Sequence, residues 1–235
     1  QQNAVSVAGT FQPVLEKILG EQVQLKGCSR TDTGVHANDF AVSFRTGCRI
    51  PCEGLVKALN NDLPPDMAAL RCEEVDGEFH ARYSCTGKRY VYKLRNSEIR
   101  SPFEQDLVLV YYKYQIDADA LDRAAKGFLG TYDYRAFCSP GGSVEDTVRT
   151  IYDFTVRREG EMVLFTVTGN GFLYNMVRIM VGTLLAAGMG KLPCTPEGIR
   201  EIVLSKNRAR AGGRVPSCGL YLDKVYYEPI EGQTT

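Results

Sequence analysis

The sequence has no run of about 18 apolar residues, so no segment is long enough to cross a membrane as a helix. It also lacks a basic, apolar leader that would indicate a secretory signal. The chain starts at Gln1 without a methionine, as expected if an N-terminal piece is missing. An apolar content of 44% with 24% charged residues is typical of a globular protein and excludes a disordered one.

Net charge is absent as well, because 28 Lys and Arg balance 28 Asp and Glu. Nucleic-acid-binding proteins usually carry a basic excess, so the total charge gives no support to that function. Basic residues do cluster locally, at Lys88 with Arg89 and in the stretch 206–214. On charge alone, these clusters are expected to be solvated surface.

The eight cysteines form no C-x-x-C pair, and only His36 and His80 could join them as metal ligands. Zinc-ligand spacing is therefore absent. The cysteines are scattered through helix-like and strand-like segments of a large chain, which favours reduced thiols over a disulfide framework. No nucleoside-triphosphate motif is convincing either, so we expect no metal and no cofactor.

Hydrophobic periodicity divides the chain into two similar parts. The first part is predicted to contain a helix over 7–18 with Ser6 as its N-cap, strands over 23–26 and 40–44, a helix over 53–60, and a strand over 67–75. The second is predicted to contain a strand over 88–95, a helix over 118–129 begun by Asp117, a hairpin of 150–156 with 162–169, helices over 173–187 and 196–205, and a strand over 220–227.

These orders predict an α+β fold of two ferredoxin-like halves, each a split βαβ unit, with the first half lacking its opening N-terminal strand. We expect an N-terminal domain over 1–80 that carries the loop around Asp32, and a C-terminal domain over 81–235. Two sheets joined side by side would leave a central cleft for a ligand.

The loop 27–37 is the most unusual segment, and two readings of it stay open on physical grounds. Asp32 and Gly34 could simply supply turn chemistry between strands. Alternatively, Asp32 is a carboxylate nucleophile kept ionised by a nearby cation. Arg178 supports the second reading, because a charge within the apolar helix 173–187 is costly unless it has an anionic partner.

Four motifs follow one another along the chain. They are Arg30-Thr31-Asp32-Thr33-Gly34-Val35-His36-Ala37, then Phe79-His80-Ala81-Arg82 with Lys88-Arg89-Tyr90-Val91-Tyr92, then Asn175-Met176-Val177-Arg178-Ile179-Met180-Val181-Gly182, and Gly219-Leu220-Tyr221-Leu222. In this order, they resemble the motifs of the TruA-type tRNA pseudouridine synthases. The resemblance covers essentially the whole chain. Ser29 and Thr33 depart from the family's glycine and alanine, and the family's upstream strand with Y-D-G and G-W-Q is not present.

The resemblance implies a cytoplasmic, cofactor-free enzyme that isomerises uridines 38, 39 and 40 in the anticodon arm of tRNA, acting as a homodimer that grips one tRNA. Asp32 matches the catalytic aspartate and Arg178 the basic residue paired with it. Tyr90 matches the tyrosine that stacks on the target uracil, Arg30 an arginine that holds the flipped nucleotide's place, and Leu220 an apolar residue of the pocket. Without the motif, Tyr90 and Leu220 would be taken as core residues, and His36 is expected to be structural.

Three other functions remain as alternatives. A related synthase could act on other tRNA or RNA sites. A non-catalytic RNA-binding module is possible, although the usual aromatic signature of such sheets is missing from the strands. A carboxylate-dependent hydrolase would need a second acid matched to Asp32, and none is evident.

Overall fold

The computed structural model describes residues 5–141 and 145–230 and divides the chain into two compact units. Among the described residues, the first unit comprises 5–28 and 41–84, and the second comprises 29–40, 85–141 and 145–230. Sequence periodicity assigned the loop 29–40 to the N-terminal domain, whereas its contacts group it with the second unit. The physical reason is strand pairing, since His36 and Ala37 hydrogen-bond in parallel with Tyr221 and Leu222 near the C-terminus.

The first unit contains two helices and two short strands. These are α1 (Val7–Leu19), β1 (Lys26–Gly27), β3 (Val42–Ser43) and α2 (Cys52–Asp62). Ser6 caps α1, as the sequence predicts, by accepting a hydrogen bond from the Gly9 amide at 3.1 Å. The unit's core is formed by Leu15 and Leu19 of α1 with Leu55 and Leu59 of α2.

The strand predicted over 67–75 is absent, and this prediction was wrong. The Asn60 side chain on α2 accepts from the Ala69 amide and donates to the Ala69 carbonyl, both at 2.8 Å. The backbone of Ala69 thus bonds to a side chain rather than to a neighbouring strand.

The second unit is a mixed sheet covered by three helices. Its strands are β2 (His36–Ala37), β4 (Gly87–Arg95), β5 (Leu109–Val110), β6 (Gly130–Asp133), β7 (Val148–Glu159), β8 (Met162–Gly169) and β9 (Leu220–Tyr226). Its helices are α3 (Ala118–Ala125), α4 (Met176–Gly188) and α5 (Pro196–Leu204). The strand order is β2-β9-β4-β8-β7-β6, with β5 pairing beside the end of β4. The protein is therefore an α+β fold.

The burial pattern follows from the sequence period. In β4, Tyr90, Tyr92 and Leu94 are buried while the residues between them are partly exposed, as the predicted shared face requires. Helix α4 is apolar on nearly every side, and 11 of its 13 residues are buried. Asp117 caps α3 as expected, accepting from the Ala120 amide at 2.9 Å. No helix within the described residues is long and apolar enough to span a bilayer.

Candidate active site

Asp32 lies in a tight turn that the sequence specifies closely. Its carbonyl accepts a hydrogen bond from the Val35 amide at 3.1 Å, and Gly34 has a φ of 78°. That conformation at the third turn position favours glycine. A side chain at Gly34 would also place its Cβ 2.9 Å from the Ser217 hydroxyl. The glycine therefore allows the turn to pack against the segment that precedes β9.

His36 fastens the same loop to the sheet. Its ring stacks on Tyr221 with centroids 4.6 Å apart, and its Nε2 lies 2.8 Å from the Asp106 carbonyl oxygen. Lys93 also contacts Tyr221, with its Nζ 3.8 Å from the ring centroid. These contacts agree with the structural role expected for His36.

Arg178 points from the first turn of α4 to Asp32. Its Nη1 donates to Asp32 Oδ2 at 2.9 Å, and Arg178 is only 8% exposed. The ion pair predicted from the apolar surroundings of Arg178 is thus present. Two further bonds hold the guanidinium: Nε donates to the Val215 carbonyl at 2.8 Å, and Nη1 also donates to Asn175 Oδ1 at 2.9 Å.

The Asp32 side chain is less enclosed than its partner. It is 29% exposed, against 10% for the side chain of Arg178. A carboxylate that is reachable from solvent, and backed by a buried cation, can approach a reacting atom of a ligand without losing its counter-ion. This arrangement is suited to nucleophilic or general-base chemistry.

Tyr90 connects to the Asp32 loop through Ser29. The two hydroxyl oxygens are 3.4 Å apart, and Tyr90 is 7% exposed. Phe172 packs edge-on against the Tyr90 ring, with centroids 5.1 Å apart and planes at 84°. The ring therefore has a fixed orientation, which reduces the entropy lost if a base stacks on it.

The other two sequence-predicted residues lie in different surroundings. Leu220 is buried at the start of β9, opposite Tyr92 on β4 and two residues before Leu222, which pairs with Tyr90. Arg30 is exposed, and its side chain makes no hydrogen bond or ion pair with any described residue. The structure thus brings Asp32 and Arg178 into contact and leaves Arg30 on the surface.

The pair's immediate neighbours carried no role in the sequence analysis. These are the Asn175 side chain and the Val215 carbonyl, which both hold Arg178, and the Ser29 hydroxyl beside Tyr90. One signal was available, because Asn175 and Arg178 are three residues apart and so share a helix face. The Val215 carbonyl is a backbone group, so residue type gave no indication of it.

Segment 215–217 is itself fixed to the sheet by Tyr92. The Tyr92 hydroxyl donates to the Pro216 carbonyl at 2.9 Å. Burial raises the pKa of Tyr92 well above its ordinary range, so the phenol stays a neutral donor at all physiological pH values. Among residues 5–141 and 145–230, no group of three or more His, Cys, Asp or Glu could hold a metal ion.

Comparison with known proteins decides the family. The family model for tRNA pseudouridine synthases matches residues 124–228. A Clostridium perfringens protein named tRNA pseudouridine synthase A 2 is 44% identical over 213 residues, covering 91% of this chain and 86% of that protein. Proteins named tRNA pseudouridine synthase A from Acetivibrio thermocellus and Clostridium acetobutylicum are 44% and 42% identical over 227 residues, covering 97% of this chain and 92% of each. The chain belongs to the tRNA pseudouridine synthase A family.

The family model covers only one of the two residues of the ion pair. The matched pattern includes Arg178 and Leu220 but begins after Asp32 and Tyr90. The similarity to the Acetivibrio relative extends over nearly the whole chain. The similarity to this relative therefore includes the N-terminal part of the chain, with Asp32 and Tyr90, as well as the C-terminal half.

Proposed function

We propose that this chain is a tRNA pseudouridine synthase that converts uridine to pseudouridine in the anticodon arm, at positions 38–40, with Asp32 as its nucleophile. The observation that carries the proposal is the Asp32–Arg178 pair, in which an accessible carboxylate meets a buried guanidinium at 2.9 Å. The relatives' names and the family motifs around both residues support the same reaction.

The reaction makes demands that this site can meet. The bond between uracil N1 and ribose C1′ must break, the base must turn, and a new bond must form between C5 and C1′. C5 then loses its proton, and N1 gains one, so the product is an isomer of the substrate. The base has to leave its stack first, at a cost of a few kcal/mol. Stacking on Tyr90 would return about 1–3 kcal/mol, and Asp32 supplies the carboxylate oxygen that attacks the flipped-out nucleoside. We assign Leu220 to the apolar wall of the base pocket and Arg30 to the RNA backbone.

The family resemblance supports three further parts of the proposal. These are a ferredoxin-like plan in both halves, a homodimer whose copies share one tRNA, and a cytoplasmic location. The second unit provides part of the support for the fold, since β4, α3, β7, β8, α4 and β9 follow the β-α-β-β-α-β order. Light scattering of the purified protein tests the dimer, and a mass near that of one 26.1 kDa chain would contradict it.

Release of tritium from tRNA labelled at uracil C5 tests the proposed reaction directly, because the C5 hydrogen leaves only when the new bond forms there. We expect release with the wild-type protein, and none with Asp32→Ala or Asp32→Asn, while both variants still bind tRNA. The matched control is Asp106→Asn, since Asp106 is exposed and its side chain makes no hydrogen bond or ion pair with a described residue.

Each outcome is decisive. Tight tRNA binding without tritium release by the wild-type protein would indicate a binding module instead of an enzyme. Activity near the wild-type rate in either Asp32 variant would remove the nucleophile assignment but leave the reaction in place. Mapping pseudouridines in the reacted tRNA then identifies the positions, and modification outside the anticodon arm would favour a synthase of different site specificity.

A further inference from the structure

Asn175, at the start of α4, has an unusual backbone conformation. Its φ of 61° and ψ of 11° are left-handed, and Asp106 and Lys206 are the other non-glycine residues with positive φ among the described residues. Asparagine tolerates this region better than most residues, but still at an energetic cost that glycine avoids. A residue just before a helix usually has extended backbone and bonds to a helix amide, and Asn175 does neither.

The Asn175 side chain is directed to Arg178 instead. Its Oδ1 accepts from Arg178 Nη1 at 2.9 Å, and the same nitrogen donates to Asp32 Oδ2 at 2.9 Å. The amide orientation is fixed by this bond, because a flipped amide would place two donors against each other.

The nitrogen of the Asn175 side-chain amide has no hydrogen-bond partner among the described residues. This nitrogen, Nδ2, is buried. A strained backbone and an unpaired buried donor are both unfavourable for folding. Both unfavourable features occur in a residue whose side-chain oxygen binds Arg178. Backbone strain of this kind is concentrated at functional sites.

We infer that Asn175 is a positioning residue for the proposed reaction, on which this inference rests. Arg178 Nη1 has two hydrogens, and the Asn175 oxygen takes one of them, which leaves the other directed at Asp32. With the Val215 carbonyl bound to Nε, three acceptors on separate segments define the plane of the guanidinium. The direction of the Asp32 carboxylate then follows from that plane, as a reaction sensitive to small displacements requires.

Replacement of Asn175 by glycine distinguishes a role in positioning Arg178 from a role in stabilising the fold. Glycine adopts the left-handed conformation without strain and carries no amide, so Asn175→Gly removes both unfavourable features together with the bond to Arg178. We expect a melting temperature equal to or above that of the wild type. We expect kcat to fall about tenfold or more, because a hydrogen bond to a charged group is lost, with KM for tRNA within about twofold.

Asp106→Gly is the matched control, since it relieves a φ of 60° at an exposed position whose side chain does not contact Arg178. The Asp106 group that faces His36 is its backbone carbonyl, which glycine retains. Its kcat should equal that of the wild type. An Asn175→Gly enzyme with wild-type kcat, or one whose melting temperature and kcat fall together, would overturn the inference. Wild-type protein that releases no tritium from labelled tRNA would instead remove the proposed function, so the two failures are distinguishable.

Discussion

The guanidinium of Arg178 joins three separate segments through three acceptors, so its replacement should affect both folding and turnover. Arg178→Met leaves the Asp32 carboxylate, the Asn175 amide oxygen and the Val215 carbonyl without their donor. Breaking a buried pair costs about 3–5 kcal/mol, and the low end applies because Asp32 is partly exposed. We expect a melting temperature lower by about 6 °C or more and little remaining tritium release.

Arg178→Lys is the comparison that separates charge from geometry. It restores the positive charge, but one ammonium cannot reach all the acceptors that Nε and Nη1 reach together. Part of the lost stability should therefore return while activity stays low. If Arg178→Met shows wild-type melting and wild-type activity, the pair contributes to neither, and the proposed site is wrong.

At this site, the sequence predicted the ion pair between Arg178 and Asp32, but not the hydrogen bonds from Arg178 to Asn175 and Val215. A charged residue among Val177, Ile179 and Met180 needs an anion, and this requirement identified Arg178 as the partner of a carboxylate. Asn175 lies within the helix predicted over 173–187, but its amide is uncharged, so its type carried no comparable demand for a partner. The observed helix begins only at Met176. The left-handed backbone of Asn175, which is the informative feature, becomes visible only in three dimensions.

Helix α4 reaches the Arg178 site partly through close packing of its backbone against segment 211–215. A Cβ added at Gly182 would lie 1.8 Å from the Gly213 carbonyl oxygen, and the Gly212 amide donates to the Thr183 hydroxyl at 2.9 Å. Gly182→Ala must therefore displace the segment whose Val215 carbonyl holds Arg178. We expect destabilisation of about 1–3 kcal/mol and a lower kcat, measured by thermal melting and tritium release.

Gly213→Ala tests the same segment without the steric conflict. A Cβ there meets no atom within 4 Å, and its φ is not left-handed, so stability should change by less than about 0.5 kcal/mol. If Gly182→Ala behaved like Gly213→Ala, the close approach of α4 and segment 211–215 would not support the position of Arg178.

Long elements were predictable from sequence, and most short ones were not, although β3 lies within the strand predicted over 40–44. The helices containing Leu15 and Leu121, and the hairpin of β7 with β8, present enough turns or alternations for a period to be read. Strands β2, β5 and β6 have two to four residues, too few to show a period, and the sheet recruits them by pairing with longer neighbours. The helix predicted over 118–129 ends at Ala125 and continues as a 3-10 turn, Lys126–Phe128.

For the whole molecule, a formal charge of zero means that RNA phosphates must be attracted by local groups of basic residues. Within the basic stretch 206–214, some side chains have partners among the described residues of the protein and others do not. Lys206 forms an ion pair with Asp133 at 3.3 Å, and Arg208 donates to the Gly212 carbonyl at 3.0 Å. The exposed side chains of Arg210 and Arg214 make no hydrogen bond or ion pair with any residue in the described ranges.

This difference predicts which residues contribute to tRNA affinity. A cation that neutralises a phosphate releases about 0.7–0.9 of a counter-ion, so its loss should reduce the slope of log K against log salt by about that amount. We expect this change for Arg210→Ala and for Arg214→Ala, in binding titrations with Asp32→Asn protein that cannot turn over. Lys206→Ala should change the slope less, because Asp133 already neutralises that charge. No change in slope from either arginine substitution would mean that the phosphates contact another face. An equal reduction from all three would mean that Lys206 contacts RNA despite its ion pair with Asp133.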